Sequence, residues 1–391
     1  ETIEAMGGSL RDVSLVPDAF MESFELETHP FPSATISDAN RAYPKSTAAL
    51  WADGFLWTAN ETGLLTRWNV KTQDYEQYRL PGEFVMRALA SDGQAIYVGT
   101  EGGDTWRLTR DGSQTQIVDS EFGWISALVL DSDQNLWYAD ANHFDRADLR
   151  YHLGRGLTSL ELGQHPRGTG QPGWRPSDRE EGIHADSDPL KDVSALTFDR
   201  ERSILWIGTG FAGLLGYDVL EDTWQDYNTF NSNLGDNTIS DLELAPDGTL
   251  WLATASGVSS YRNGIWENHH MAEVPMARGA LSLAIAEDNA IWAAGERYIA
   301  QMAPGEEWRV YRAADNPLLA NRIRFVVLDD KDHPWLIGRR GKIHFDRGTW
   351  TAYDADVRRF TVFTPVGPFT SIIPPPLDFP SPVEDHPGWL K

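Results

Sequence analysis

Short alternations of apolar and polar residues recur along most of the chain at regular intervals. An apolar residue followed by an aromatic one marks each recurrence, at Leu56-Trp57, Ile96-Tyr97, Leu136-Trp137, Leu205-Trp206, Leu250-Trp251, Ile291-Trp292 and, as a variant, Pro334-Trp335. The aromatic residues of successive copies are 40, 40, 69, 45, 41 and 43 positions apart. A period of about 40 to 45 residues is typical of a β-propeller blade.

Each copy predicts four strands. A strand with period-2 alternation comes first, as in residues 193–198, and an Asp/Gly turn such as Pro246-Asp247-Gly248 leads to the aromatic strand. Two further strands follow, the last with an aromatic pair such as Trp224 and Tyr227. We therefore predict an all-β fold, a seven-bladed β-propeller with four-stranded antiparallel blades whose tryptophans pack between blades. The alternative is an eight-bladed ring with an irregular blade made from both termini.

The repeats divide the chain into three regions. Residues 1–45 precede the first repeat and contain a predicted ring-closing strand, residues 46–364 form the propeller, and residues 365–391 are a Pro-rich tail. Residues 358–364 carry two phenylalanines and are predicted to add an edge strand. The long spacing of 69 reflects an insertion at 164–190. It should lie with the loops that follow the aromatic strands and the blade-to-blade connections, on what we call the top face.

Composition narrows the classes of partner. The chain has 33 Lys+Arg and 58 Asp+Glu, a net charge of −25, which argues against nucleic acid and anionic membranes as partners. It has no Cys, so disulfides and Cys-zinc sites are excluded, and no apolar run approaches the length of a membrane span. We interpret the start at Glu1 as a mature product without its targeting segment, and predict an extracytoplasmic (periplasmic or extracellular) protein.

One repeat carries a recognisable pattern. Residues Asn237 to Tyr261 read N-x-I-x-x-L-x-x-x-x-DG-x-LW-x-x-T, followed by a Gly and a Tyr, and this unit resembles the two-component-regulator propeller repeat. The resemblance implies a sensor-type β-propeller that builds extracytoplasmic modules. More loosely, the chain is similar to the streptogramin-lyase type of propeller, which implies a site with a divalent cation, although no local motif allows that family's residues to be placed here.

Local motifs for chemistry are few. His269 and His270 are adjacent on a strand and so point to opposite faces, and we interpret His269 as a packing residue. The run from Asp131 to Asn135 resembles the start of a calcium loop but falls where a turn is predicted, so we interpret it as a turn. No residues are predicted to bind a metal, and no catalytic residues are identified.

Candidate binding residues follow from their place on the top face. Two tryptophans, Trp124 and Trp174, fit no core position of the repeat. A group of arginines lies on the sixth and seventh repeats and in the insertion, and two glutamates follow the aromatic strands of early repeats. These residues are Trp124, Trp174, Arg175, Arg297, Arg339, Arg340, Glu61 and Glu101. We hypothesise a top face with an acidic side and a basic side.

The sequence therefore favours an exported, non-catalytic binding or scaffold module. It would present its top face, insertion and tail to a protein partner, as a subunit of a larger assembly, or to a glycan. No cofactor is required by this interpretation. The alternative is a lyase or hydrolase with a divalent cation in the central channel.

Overall fold

The protein is an all-β β-propeller built from antiparallel sheets. The computed structural model describes residues 45–72, 74–82, 84–119, 124–132, 135–141, 147–152, 159–161, 193–270, 279–296, 298–312, 322–338, 341–346, 349–354 and 360–363. The ring-closing strand predicted before residue 45, the insertion and the Pro-rich tail lie outside these residues. No helix among the described residues is long and apolar enough to cross a membrane.

Each sheet is formed by consecutive strands. The first has β1 (Ser46–Ala52), β2 (Phe55–Asn60), β3 (Leu65–Trp68) and β4 (Tyr75–Tyr78), and the second has β5 (Met86–Ser91), β6 (Ala95–Thr100), β7 (Asp104–Thr109) and β8 (Gln114–Asp119). The third has β9 (Trp124–Leu130), β10 (Leu136–Ala141), β11 (Ala147–His152) and β12 (Ser159–Glu161), and the fourth has β13 (Val193–Asp199), β14 (Ile204–Thr209), β15 (Leu214–Asp218) and β16 (Thr223–Tyr227).

The remaining sheets continue in the same order. The fifth has β17 (Ile239–Leu244), β18 (Leu250–Thr254), β19 (Gly257–Arg262) and β20 (Ile265–His270), and the sixth has β21 (Ser282–Ile285), β22 (Ile291–Gly295), β23 (Tyr298–Met302) and β24 (Arg309–Arg312). The last has β25 (Ile323–Leu328), β26 (Pro334–Gly338), β27 (Gly341–Asp346), β28 (Thr349–Asp354) and β29 (Phe360–Phe363).

These sheets correct the predicted blade plan. Six sheets are four-stranded blades, and the last sheet carries a fifth strand because β29 pairs with β28. A free sheet edge offers unpaired N–H and C=O groups, and β29 covers that edge instead of starting a sheet of its own. The prediction of seven four-stranded blades is therefore wrong, since only six have that form. The eight-bladed alternative is also wrong for the described residues, which form no blade from the two ends of the chain.

The aromatic residues of the repeats lie in the core. The second-strand tryptophans are all less than a tenth exposed: Trp57, Trp137, Trp206, Trp251, Trp292 and Trp335. Most of the clusters they form cross from one sheet to the next, as where Trp137 packs with Val193 and Leu205 of the fourth sheet. Burying such side chains stabilises the fold by about 1.5 to 3 kcal/mol each. The interpretation of these tryptophans as blade-packing residues is confirmed.

The first strands of the sheets surround the central axis. Each packs on the first strand of the following sheet, and β25 of the last sheet packs on β1 of the first. The core crosses this closure as well, because Trp68 meets Trp335 edge to face with ring centroids 5.2 Å apart. The ring is thus closed by packing of side chains from opposite ends of the described chain.

Candidate functional site

The top face lies where the first strands begin. In every sheet the start of the first strand pairs with the end of the second, as Ser46 does with Asn60. The loops after the second strands and the connections between sheets therefore lie at the same end of the ring. We call the central part of this face, around the starts of the first strands, the channel mouth.

A β-bulge recurs at the channel mouth. The pairing register skips one residue near the start of the first strand in six sheets, the second residue of the strand in five of them and the third residue in the third sheet. These residues are Thr47, Arg87, Ser126, Ser194, Ser240 and Arg324. A bulge leaves its extra residue unpaired and turns the side chain away from the regular pleat. The Ser194 hydroxyl uses this freedom to donate to the Ile239 carbonyl of the next sheet at 2.6 Å. The repeated bulge is thus a position at which each sheet can present a different group to the mouth.

Arg87 occupies the bulge of the second sheet. Its Nε donates to Glu101 Oε1 at 2.9 Å, and its guanidinium carbon lies 5.4 Å from the centre of the Trp124 ring. Glu101 follows β6 and Trp124 begins β9, so the contact joins three segments of the chain. The cation is held between a carboxylate and an aromatic face.

Arg324 occupies the same bulge in the last sheet. Arg324 is exposed as a residue, but partial desolvation of its guanidinium lowers its pKa. The positive charge of Arg87 lowers this pKa further, while Glu296 and Glu61 act in the opposite direction. The group stays protonated, since an arginine keeps its proton in proteins. Arg324 makes no hydrogen bond or salt bridge with any described residue. Two arginines from sheets on either side of the first sheet thus share one electrostatic environment at the channel mouth.

Exposed aromatic residues accompany this pair on the top face. Phe84 is 41%, Phe211 40% and Phe230 75% exposed, and all three lie in connections at that end of the ring. Phe84 lies against Gly102, where an added Cβ would come within 2.7 Å of its ring. The top face therefore combines cationic groups with apolar side chains in solvent.

The predicted binding residues fall into two groups. Three of them, Glu61, Glu101 and Trp124, are at the top face. Glu61 Oε2 lies 3.7 Å from Lys45 Nζ, and both Glu101 and Trp124 contact Arg87. Trp174, Arg175, Arg297, Arg339 and Arg340 lie outside the described residues. Glu61 and Glu101 each stand beside a basic group, and the division of the top face into an acidic side and a basic side stays a prediction. A binding role for the eight residues stays a prediction.

Arg87 and Arg324 were not found by sequence reasoning. Their signal is their place, since each is the second residue of a first strand in its repeat. This position indicates a side chain at the channel mouth only when the bulge is known, because regular alternation would direct the side chain to a face of the sheet.

Two other motifs have structural roles. The His269 ring stacks on Trp251 with centroids 5.3 Å apart and planes at 24°, which confirms that it is a packing residue. Asp131 Oδ1 accepts the Asn135 N–H at 2.8 Å, which confirms the turn. A cation in the central channel stays a prediction. Among the described residues, the only group of His, Asp or Glu that can converge on a metal is in the last sheet, at the opposite end from the mouth.

Comparisons with known proteins support the fold. No protein-family model and no curated protein matches the chain. A streptogramin B lyase structure is similar with a TM-score of 0.59 and 12% identity, covering 77% of this chain and 92% of that one. The extracellular domain of a protein described as a hybrid two-component system, BT3049 from B. thetaiotaomicron, gives a TM-score of 0.56 and 14% identity over 82% of this chain.

The chain spans 46% of that second structure, so it is similar to a part of it. The β-propeller domain of Cps50 (Swd1) from Myceliophteria thermophila gives a TM-score of 0.55 and 12% identity, covering 82% of this chain and 96% of that one. These structures are a lyase, an extracellular domain and a further propeller, and a shared fold at this identity does not transfer a role. Together with the sheets and the ring of first strands, they identify the chain as a β-propeller module.

Proposed function

We propose that the chain is a non-catalytic, extracytoplasmic binding module that holds an acidic protein partner on its top face. The observation that carries this proposal is the exposure of Phe84, Phe211 and Phe230 on the face that also has Arg324 at its centre. Aromatic residues and arginine are enriched at protein interfaces, and exposed apolar side chains that are grouped on one face mark interaction sites.

The charge of the chain narrows the class of partner that we expect. The net charge is −25, yet the channel mouth presents Arg87 and Arg324. A guanidinium binds carboxylates through paired hydrogen bonds, and Arg324 has no such partner among the described residues. An acidic side chain or a C-terminal carboxylate of the partner would fit there, with apolar residues of the partner against the phenylalanines.

Location and family are proposed from two likenesses. The likeness to an extracellular domain and the repeat over Asn237 to Tyr261 favour a sensor-type, extracytoplasmic module of the two-component-regulator kind. Within this proposal the insertion and the Pro-rich tail are additional contacts for the partner or for a larger assembly. A glycan would use the same face through Trp124.

The test compares the two faces of the ring. The protein is produced in its source cells with a photo-crosslinking residue at Phe211 or, as a control, at Leu220, which is 76% exposed at the opposite end. We expect one protein to be cross-linked at Phe211 and not at Leu220, and Arg324→Glu to abolish that cross-link. The control variant Ile265→Ala, at the opposite end, should leave it intact. Cross-links that are equal at both faces, or that survive Arg324→Glu, would contradict the proposal.

A further inference from the structure

The turn between β25 and β26 is built on Asp329. Its Oδ1 accepts the backbone N–H groups of Lys331 at 2.9 Å and His333 at 3.0 Å. The same turn recurs elsewhere, since Asp131 Oδ1 accepts the N–H of Asn135 and Asp199 Oδ1 accepts that of Arg202. Asp329 Oδ1 therefore shapes the turn by accepting backbone N–H groups, as the aspartate at this position does in other sheets.

The other carboxylate oxygen differs between sheets. Asp131 Oδ2 accepts the Trp137 indole N–H at 3.0 Å, Asp92 Oδ2 accepts the Tyr97 hydroxyl at 2.9 Å, and Asp199 Oδ2 accepts a guanidinium N–H of Arg202 at 2.8 Å. In the last sheet the indole N–H of Trp335, which corresponds to that of Trp137, is buried without a hydrogen-bond partner. The indole N–H that donates to the turn aspartate in the third sheet therefore has no counterpart on Asp329 in the last sheet.

Two imidazoles face Asp329 Oδ2 instead. His344 Nε2 lies 3.5 Å from this oxygen and His333 Nδ1 lies 3.8 Å from it. His344 Nε2 is buried and makes no hydrogen bond. The separations exceed good hydrogen bonds but match two ligands of one ion, because metal–ligand bonds of about 2.0 to 2.2 Å in a tetrahedron put ligand atoms about 3.4 Å apart.

We propose that Asp329, His333 and His344 bind a divalent transition-metal ion of the Zn²⁺ type. Their three ligand atoms all lie within 4.8 Å of one another. Two imidazole nitrogens and one carboxylate oxygen suit Zn²⁺ and its neighbours, whereas Ca²⁺ and Mg²⁺ prefer sets of oxygens. Three protein ligands leave a fourth position for water or for a group from a partner.

The surroundings hold the imidazoles in place for this role. The His344 ring is stacked on Trp335 with centroids 4.3 Å apart and planes at 17°. His333 Nε2, the nitrogen away from Asp329, lies 3.2 Å from Asp346 Oδ1. A carboxylate behind a metal-binding imidazole fixes the ring and its tautomer.

An ion here would join two parts of the last sheet. Asp329 and His333 belong to the β25–β26 turn and His344 lies on β27, opposite Trp335. Trp335 also contacts Trp68 of the first sheet, so the site adjoins the closure of the ring. Because the ion binds the folded chain, it should raise the thermal unfolding temperature as its concentration rises.

The first experiment uses the full chain after treatment with EDTA and dialysis. We expect ZnCl₂ to bind with one saturable site by calorimetry, and CoCl₂ to give the visible bands of tetrahedral Co²⁺ with nitrogen and oxygen ligands. Zn²⁺ should shift the NMR signals of the His333 and His344 rings and leave that of His269 in place.

Matched variants locate the site. Asp329→Asn keeps an oxygen for the turn but replaces the proposed ligand, and His344→Gln removes an imidazole; each should weaken Zn²⁺ binding by about 10-fold or more. Asp131→Asn changes the same turn in the third sheet, and His269→Gln removes the imidazole stacked on Trp251, so both should bind Zn²⁺ as the wild type does.

Several results would overturn the proposal. They are the lack of a saturable one-ion site in the wild type, binding that persists unchanged in both Asp329→Asn and His344→Gln, and equal loss in the control variants. If either variant fails to fold by circular dichroism, the imidazole NMR titration of the wild type decides, since shifts confined to other histidines would refute the site.

Discussion

The third and last sheets end their first strands with the same turn but use its aspartate differently. In the third sheet both oxygens of Asp131 accept hydrogen bonds, one from the turn and one from Trp137. In the last sheet Asp329 Oδ1 serves the turn while Oδ2 faces two imidazoles without a hydrogen bond to His344. The repeat thus fixes the oxygen that shapes the backbone and leaves the second oxygen available for another role.

Replacing each aspartate by alanine should separate the two sheets most strongly. Asp131→Ala leaves the buried Trp137 indole and Asn135 amide without their acceptor, so we expect a loss of about 3 kcal/mol or more in the free energy of unfolding. Asp329→Ala in metal-free protein loses turn bonds, and should cost about 1 kcal/mol. Urea unfolding measures both. Equal losses in the free energy of unfolding would show that the two carboxylates contribute equally to stability.

Glu243 gives a second departure from the repeat. It lies opposite Trp251 in the fifth sheet, where the third sheet has Val129 opposite Trp137. Burial raises the pKa of Glu243 above its ordinary value of 4.5, and the charge of Asp241 raises it further. The folded chain therefore retains a proton that the unfolded chain has released, and stability should fall as the pH rises from about 4.5 through the raised pKa.

The corresponding variant is Glu243→Leu, which restores an apolar residue at this place. We expect it to raise the free energy of unfolding by about 1 to 3 kcal/mol at pH 8 and to have little effect at pH 4. Urea unfolding at the two pH values measures this, with the exposed Glu267→Leu in the same sheet as the control. A gain of equal size at both pH values would exclude ionisation of Glu243 as its cause.

The smallest expected difference concerns the two tryptophans. Trp137→Phe and Trp335→Phe remove the same volume, but only Trp137 donates an indole hydrogen bond to the turn aspartate. In metal-free protein Trp137→Phe should cost about 1.5 kcal/mol more than Trp335→Phe. Thermal unfolding of the pair checks this. Identical costs would mean that the hydrogen bond of the third sheet adds no net stability.

The sequence could predict the strands and the core because both depend on local pattern. Period-2 alternation and the aromatic residue of each second strand place Trp137, Trp206 and Trp335 between sheets, as the structure has them. The edge strand predicted within residues 358–364 is confirmed as β29, but the sequence did not show which sheet it would join. That pairing depends on a free edge of β28, which exists only after the sheet has formed.

The candidate sites were harder to predict because their residues meet across sheets. Arg87 and Arg324 come from the second and last sheets, and a bulge sets the direction of each side chain. His333 and His344 meet Asp329 only through the register that puts Trp335 opposite His344. A single histidine in a sequence does not reveal such a register, so the sequence indicated no metal site.

The sequence by itself determined the repeat, the order of strands and the buried aromatic residues, because each follows from side-chain spacing within about 40 residues. The tertiary structure decided which groups share an electrostatic environment and which carboxylate oxygens have partners. Ring closure brings the last sheet against the first, and the bulges and registers set the final directions of the side chains. Electrostatic and metal-ligand interactions act over a few ångströms in space, irrespective of distance along the chain.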